Sequence, residues 1–169
     1  MQKLIKNGQI VSDAWTVLAR AEDAATVTVP DGQVIVPLSV WLAQHETLAE
    51  RDLLGVWIDS DEEVELLAAD LPRFGVIGIN FPSFRDGRGY STARLLRDRY
   101  GYEGELRAIG DVLQDQLFYM RRCGIDAFAL REDRCMEKAL ASLQVFSEYY
   151  QAATDQPLPL FRRRTQRSA

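Results

Sequence analysis

The sequence predicts an α/β fold with a largely parallel sheet of about five βα units. Short apolar runs alternate with helix-like segments along most of the chain, and turn or capping residues separate them. This alternation is typical of parallel strands joined by helices. At 169 residues, the chain is too short for a complete eight-unit barrel, which takes about 250 residues. We therefore expect an open sheet or a partial barrel.

The first 32 residues are less regular and predict a small N-terminal β element. Asn7-Gly8 and Asp31-Gly32 are turn signals, because both dipeptides favour the backbone conformations of tight turns. A small β-hairpin is the expected structure in this region.

Apolar runs mark the strands of the βα units, and periodic segments mark the helices. The predicted strands cover residues 34–36, 53–58, 76–79, 105–109 and 125–130. The predicted helices cover residues 39–48, 60–71, 90–100, 111–123 and 134–152. Ser39 is the expected N-cap of the first helix, and residues 60–63 and 111–114 fit capping boxes. Gly101 and Gly124 are natural ends for the third and fourth helices.

The domain organisation is expected to be simple. Residues 1–153 are predicted to form a single α/β domain, and residues 154–169 an extended basic C-terminal tail. Four arginines place a charge of +4 on the last eight residues, which leaves −9 on the rest of a chain whose net charge is −5. The tail reads as a solvated end, with docking to an acidic partner as the alternative.

Composition excludes several classes of function. The net charge of −5 argues against general nucleic-acid binding. No apolar run approaches the roughly 18 residues of a membrane span, and the N-terminus has no signal-peptide core. One histidine and two cysteines separated by eleven residues give no metal-binding pattern and no disulfide framework. We expect a cytoplasmic protein without metal or membrane partner. A homo-oligomer is left open.

The carboxyl ends of parallel strands form the edge of a sheet where α/β proteins bind ligands. The loop after the third predicted strand, residues 81–89, is basic and rich in glycine. Its arginines suit an oxyanion, its glycines let backbone N–H groups approach, and the next helix adds unpaired N–H groups. The predicted anion-binding residues are Arg85, Gly87, Arg88, Gly89 and Ser91.

Further polar residues are expected at the same rim. Asn80, Asp86 and Gln116 are predicted to lie beside the anion site. Asp111 and Asp115 are candidate general acids or bases, because a carboxylate near an arginine can handle a proton. The alternative for the loop is a plain turn whose arginines pair with Asp86 or Asp111. For the two aspartates, the alternative is a helix cap or a salt bridge.

No cofactor motif accompanies this loop. The segment 87–92 begins like a dinucleotide fingerprint, but it lacks the third glycine and lies too far beyond the strand. A phosphate loop with Gly-Lys-Ser/Thr is missing from the sequence. We therefore predict no cofactor bound by this chain.

Several motifs together resemble one bacterial family. They are Asn80-Phe81-Pro82, Phe84-Arg85-Asp86-Gly87-Arg88-Gly89-Tyr90-Ser91, Leu96-Arg97, Gly104-Glu105-Leu106-Arg107-Ala108, Gly110-Asp111-Val112, Asp115-Gln116 and Cys123-Gly124. The sequence resembles the family of domain of unknown function 934 from about Val34 to Tyr149. Members are commonly encoded beside assimilatory sulfite reductase and phosphoadenylylsulfate reductase, and are often labelled as oxidoreductases of sulfite reduction. The resemblance thus implies a role in sulfur assimilation.

Two functions follow as hypotheses, and the residues leave open whether the protein is an enzyme. The first is an accessory protein or oxidoreductase component of assimilatory sulfite reduction, which binds sulfite reductase or a small sulfur oxyanion. The second is a small α/β enzyme that acts on an anionic metabolite bearing a phosphate or carboxylate.

Overall fold

A computed structural model describes residues 2–167 as a mixed α/β fold built on one eight-stranded sheet. The strands are β1 (Lys3–Lys6), β2 (Gln9–Ser12), β3 (Thr16–Val17), β4 (Val34–Pro37), β5 (Leu54–Ile58), β6 (Val76–Phe81), β7 (Glu105–Gly110) and β8 (Ala127–Phe128). The α-helices are α1 (Leu38–Ala43), α2 (His45–Leu48), α3 (Arg88–Arg94), α4 (Leu117–Arg122), α5 (Met136–Ser142) and α6 (Leu160–Arg167). A π-helical turn, Leu95–Arg99, extends α3.

The strand order is β2-β1-β8-β7-β6-β5-β4-β3. Strands β3 to β8 pair in parallel with one another, as the alternating pattern predicts. The sheet is nevertheless mixed, because β1 pairs antiparallel with both β2 and β8. The predicted N-terminal hairpin therefore does not stand apart from the sheet but completes it.

The sheet curls strongly. Its edge strands β2 and β3 lie at opposite ends of the strand order, yet only Asp13, Ala14 and Trp15 separate them in the chain. The four steps from Ser12 to Thr16 span at most about 14 Å. In a flat sheet, the edges of eight strands would lie about 33 Å apart, because neighbouring strands are spaced by about 4.7 Å. The result is a curled, open sheet with a half-barrel shape.

Alternate strand residues divide the interior into two parts. The helix-covered face forms the main core, in which strand residues such as Val36, Ile58 and Ile79 pack with Trp41 of α1 and Leu117 of α4. The inner face of the curl carries a smaller cluster. That cluster consists of Ile35, Trp57, Val76 and Ile109, with Trp15 and Ala129 packed against it.

A buried ion cluster shares the inner face. Arg107 is only 1% exposed, and its Nε donates to Glu105 Oε1 at 2.6 Å. Arg107 Nη1 donates to both carboxylate oxygens of Asp13, at 3.0 and 2.8 Å. Lys6 Nζ lies 2.6 Å from Glu105 Oε2. The cluster ties the link between β2 and β3 to β7, on the far side of the curl.

The first two predicted helix starts differ from the structure. Helix α1 begins at Leu38 with Pro37 in the N-cap position, so Ser39 is not the N-cap. Before the second predicted helix, Glu62 Oε2 accepts from the Asp59 N–H at 2.8 Å, one residue earlier than expected. Only short 3-10 turns follow there, at Val64–Leu67 and Leu71–Arg73. Local patterns locate these turns but overestimate their length.

The last predicted helix is much shorter than its periodicity suggests. Helix α5 ends at Ser142, whereas the sequence predicts a helix over 134–152. The Ser142 hydroxyl donates to the backbone carbonyls of Ala139 and Gln114 at 2.6 and 3.0 Å. Beyond it, the chain returns to α4, where Arg122 donates to Asp155 Oδ1 at 2.5 Å. This long-range ion pair needs a path that a straight helix could not take.

The basic C-terminal segment also differs from the expected extended tail. Its residues Leu160–Arg167 form α6. Arg163 anchors the helix, because it donates to Glu148 Oε2 at 2.5 Å and to the Tyr149 carbonyl at 2.9 Å. The expectation for Ser168 and Ala169 lies outside the described residues. The domain boundary at residue 153 stays a prediction.

Among the helices of residues 2–167, none has the length and apolar character that crossing a bilayer requires. The same residues contain no grouping of three or more His, Cys, Asp or Glu side chains suited to a metal ion.

Candidate functional site

The parallel strands bring their carboxyl ends to one rim of the curled sheet. The loops that follow β5, β6, β7 and β8 meet there, and β3 adds its own end from the opposite side of the curl. In α/β folds this edge is where ligands bind, because the loops can vary while the strands hold them in place. The rim is therefore the candidate functional site.

The loop between β6 and α3 is held by an internal brace. Arg88 donates to Asp86 Oδ1 and Oδ2 at 3.0 and 2.6 Å and to Ser60 Oγ at 3.0 Å. Asp86 also accepts the Arg88 backbone N–H at 3.2 Å. Hydrogen bonds from Arg88 and Ser60 hold the pKa of Asp86 well below its ordinary value. Arg88 is thus engaged by its own loop rather than free for a ligand.

The tip of the same loop points outward. Phe84 is 56% exposed, and Arg85 next to it is also exposed. Arg85 makes no hydrogen bond or ion pair with any residue in 2–167. Gly87 is the N-cap of α3, Gly89 is buried against Phe81, and Ser91 is exposed on the first turn. Of the two predicted arginines, Arg88 is therefore bound within the protein, whereas Arg85 is exposed and available to a partner.

Asn80 lies at the end of β6, between two neighbouring strands. Its Nδ2 donates to Asp59 Oδ1 at 2.9 Å. On its other side, a Cβ added to Gly110 would lie 2.5 Å from Asn80 Oδ1. Gly110 also has a φ of +90°, which side-chain-bearing residues rarely adopt. Gly110 therefore permits both the turn after β7 and the close approach of Asn80.

The Asp111 carboxylate pairs with Arg131 and makes no hydrogen bond or ion pair with Arg85. Its Oδ1 accepts from Arg131 Nη1 at 3.0 Å, and Arg131 Nε also donates to Asp133 at 3.0 Å. These two acceptors raise the pKa of Arg131 above its ordinary value. Asp115 is exposed on the following turn and has no hydrogen bond or ion pair with residues 2–167. The Asp111 backbone N–H nevertheless donates to the carbonyl of Phe81, the first residue of the predicted anion loop, at 2.7 Å. Neither carboxylate pairs with a predicted arginine of that loop, and their role as general acids or bases stays a prediction.

Gln116 caps a short 3-10 turn at this rim. It is buried at 7% exposure, and its Oε1 accepts the Leu113 N–H at 3.2 Å. This bond caps the 3-10 turn Gln114–Gln116 that leads into α4. The sequence places the capping box at residues 111–114, two residues too early.

Carboxylates outnumber arginines around the rim. Six carboxylates pair with four arginines: Asp59, Asp61 and Glu62 with Arg20, Asp86 with Arg88, Asp111 with Arg131, and Asp133 with both Arg131 and Arg134. The added positive charge of Arg85 leaves this group net negative. Such a rim attracts cationic groups and repels free oxyanions at long range.

A cleft of about 630 Å³ opens at the mouth of the curl, beside the ends of β7 and β8. Trp15, Ile109 and Ala129 line its apolar part, and Arg131 and Glu132 stand at its lip. The cleft is distinct from the tip of the loop at Phe84 and Arg85, which do not line it.

Comparison with known families completes the description of the site. The family model described as "Bacterial protein of unknown function (DUF934)" matches residues 55–161. The chain belongs to the DUF934 family. Comparisons with curated proteins and with solved structures found no match. The DUF934 match contains the braced loop, Asn80, Asp111 and Arg131, and it begins after β4.

Several rim residues of this DUF934 protein escape sequence reasoning. Arg20 Nη1 donates to Asp59 Oδ2 at 3.1 Å across 39 residues, and Ser60 reaches Arg88 across 28 residues. Trp15 enters the cleft from the link between β2 and β3. No sequence motif predicts these contacts, because they depend on how far the sheet curls. Only the rule that strand ends converge could have suggested Ser60.

The Asp86–Arg88 ion pair of the DUF934 loop is expected to persist at acidic pH. Because ionised Asp86 is the form that binds Arg88, the brace stabilises the loop above the pKa of the unfolded chain. It is lost as pH falls through the lower pKa of the folded state. We therefore expect Asp86 to remain ionised at about pH 3, where an aspartate with an ordinary pKa of about 3.9 is mostly protonated.

A carboxyl ¹³C titration of Asp86 by NMR measures this directly. The variant Arg88→Gln should move the Asp86 midpoint upward, because it removes the bonds that favour the charged carboxylate. A wild-type midpoint near the ordinary value would contradict the brace.

Proposed function

We propose that this DUF934 protein is an accessory protein of assimilatory sulfite reduction that docks on the reductase through its Phe84–Arg85 loop tip. Membership of the DUF934 family supports the setting, since the motifs that the chain shares with the family imply a role beside sulfite reductase. The observation that carries the docking role is the exposed Phe84–Arg85 pair on a braced loop.

The composition of the tip supports protein binding. Aromatic residues and arginine are the side chains that most often dominate the energy of protein interfaces. Phe84 offers an apolar surface at 56% exposure, and Arg85 offers a guanidinium without a partner among residues 2–167. The partner surface should therefore combine an apolar pocket with a carboxylate.

The brace supports the same function. A binding residue on a mobile loop loses conformational entropy when it is immobilised, which weakens the complex. Here the Asp86–Arg88–Ser60 bonds fix the base of the loop before any partner arrives. The tip is therefore preorganised for docking.

Capture of a free sulfur oxyanion is less well supported. Arg88 already binds the Asp86 carboxylate through two nitrogens, and an oxyanion would have to displace it. The net negative rim adds repulsion. The enzyme alternative, with Asp111 and Asp115 as proton-handling groups, stays a prediction that no contact among the described residues favours.

A binding measurement with a matched control tests the proposal. The probe is the sulfite reductase of the source organism, immobilised for biolayer interferometry. Phe84→Ala and Arg85→Ala should each weaken binding about tenfold or more, because central interface residues cost at least about 2 kcal/mol when truncated.

The chain offers a matched control in α6. Phe161 and Arg162 form a second exposed Phe-Arg pair, and Phe161 has the same exposure of 56%. Phe161→Ala and Arg162→Ala should leave the affinity unchanged. No measurable binding of the wild-type protein would refute the proposal, and so would equal losses from both pairs.

A further inference from the structure

The cleft at the mouth of the curled sheet has the properties of a small-molecule site that the docking function does not use. Its volume of about 630 Å³ falls within the roughly 300–1,000 Å³ of typical ligand pockets. It opens at the carboxyl ends of parallel strands, the usual edge for ligand binding in such folds. Its lining combines an apolar floor with a few polar groups.

Trp15 gives the cleft a fixed aromatic wall. Asp13 Oδ1 accepts the Trp15 backbone N–H at 3.0 Å, and Asp13 is itself clamped by the buried Arg107. The indole packs against the inner-face cluster that includes Ile109. The position of Trp15 is therefore fixed by the buried ion cluster.

The indole N–H of Trp15 is an unused donor. It makes no hydrogen bond within residues 2–167. In the part of the chain that the structure describes, the buried polar side-chain atoms without a hydrogen-bond partner are Gln33 Oε1, Ser39 Oγ and Arg121 Nε, and Trp15 Nε1 is not among them. The indole N–H is therefore not sealed from solvent.

The lip of the cleft is acidic. Asp111 and Asp133 both lie 3.0 Å from the Arg131 guanidinium, and Arg134 Nε lies 3.5 Å from Asp133, so these two cations and two carboxylates cancel. Glu132 adds a carboxylate without a hydrogen bond or ion pair among residues 2–167. The lip therefore attracts a positively charged ligand and strengthens its binding, and it repels a negatively charged one.

We propose that the cleft binds a planar aromatic molecule that carries one positive charge. The ring system lies against Trp15 and the apolar residues Ile109 and Ala129, and the cation faces Glu132. A cation beside an indole face gains further attraction from the ring quadrupole. This site is independent of the loop tip and requires no reductase.

Two probes that share one ring system but carry opposite charges test whether the cleft prefers a cation. They are 2-naphthylmethylamine and 2-naphthoate, each titrated into the ¹⁵N-labelled full chain. The indole resonance of Trp15, identified as the signal lost in Trp15→Phe, should shift and saturate with the amine. Binding of the carboxylate should be at least about tenfold weaker.

A charge-matched pair of variants tests the role of Glu132. Glu132→Gln should weaken binding of the amine about three- to fivefold, the range of an exposed ion pair. Glu103→Gln is the control, because Glu103 is exposed, lacks an ion pair within residues 2–167 and lies just before β7, at the opposite end of the sheet. It makes the same change in net charge and should leave the amine affinity unaltered.

A further variant, Val17→Trp, blocks the cleft. Val17 lines it from edge strand β3 and is 41% exposed, so Val17→Trp fills space without entering the core. Amine binding should disappear in this variant. The proposal is overturned if the Trp15 resonance does not respond, if the carboxylate binds as tightly as the amine, or if Val17→Trp binds like the wild type.

Discussion

Replacing Arg107 with methionine is expected to destabilise the fold by about 3–5 kcal/mol, the cost of breaking a buried ion pair from one side. Methionine fills a similar volume but leaves the carboxylates of Asp13 and Glu105 buried, each at 5% side-chain exposure. Lys6 remains as the single cation of the cluster. Burial of an unbalanced charge is costly because water no longer solvates it.

Urea unfolding followed by circular dichroism measures this loss. Arg94→Met is the control, because Arg94 pairs with Asp98 at 2.8 Å but is 55% exposed. Exposed pairs contribute about 0–1 kcal/mol, so the control should remain close to wild type. Equal losses in the two variants would show that the Arg107 cluster is solvated.

Neutralising the whole cluster should recover stability. The triple variant Asp13→Asn, Glu105→Gln, Arg107→Met leaves no carboxylate without its partner. Replacement of a complete buried ion network is often neutral or stabilising. The triple variant should therefore unfold at a higher urea concentration than Arg107→Met alone.

Replacing Gly110 with alanine is expected to cost about 2–4 kcal/mol, the sum of backbone strain and overpacking. The added Cβ would lie 2.5 Å from both the Phe81 carbonyl oxygen and Asn80 Oδ1. The Phe81 carbonyl cannot yield freely, because it accepts the Asp111 N–H at 2.7 Å. The φ of +90° adds strain for any residue with a side chain.

Gly75→Ala is the matched control for this substitution. Gly75 has no heavy atom within 4 Å of an added Cβ and no positive φ. Alanine there should be neutral or slightly stabilising, because it restricts the unfolded chain. Thermal unfolding separates the two variants, and a Gly110→Ala protein as stable as Gly75→Ala would contradict the geometry at the end of β7.

The strand pattern of the βα units was predictable because buried parallel strands are short, continuous apolar runs. Strands β4 to β7 appear where the runs at 34–36, 53–58, 76–79 and 105–109 predict them. The run at 125–130 predicts more than the structure contains, since only Ala127–Phe128 form β8. Strand β8 pairs with β7 on one side and with the antiparallel β1 on the other, and only two of its residues pair with each neighbour. The apolar run is therefore longer than the strand.

The location of the candidate site in the fold was predictable, but the ion pairs among its charged residues were not. The rule for strand ends directs attention to Asn80, within the last two residues of β6, and to Asp111, and the other predicted rim residues follow β6 or β7 in the chain. Which charges meet was not predictable. Arg88 turns back to Asp86 two residues away, whereas Asp111 binds Arg131 across 20 residues.

The sequence by itself determined the α/β class, the positions of most strands, the turn at Asn7-Gly8 and the membership of the DUF934 family. These features depend on local composition and on contiguous motifs, which are written along the chain. The tertiary structure decided the mixed sheet, its curl, the buried position of Arg107 and the ion pairs of Arg88 with Asp86 and of Asp111 with Arg131. Each of these depends on contacts between distant residues, because burial and charge pairing are properties of neighbours in space.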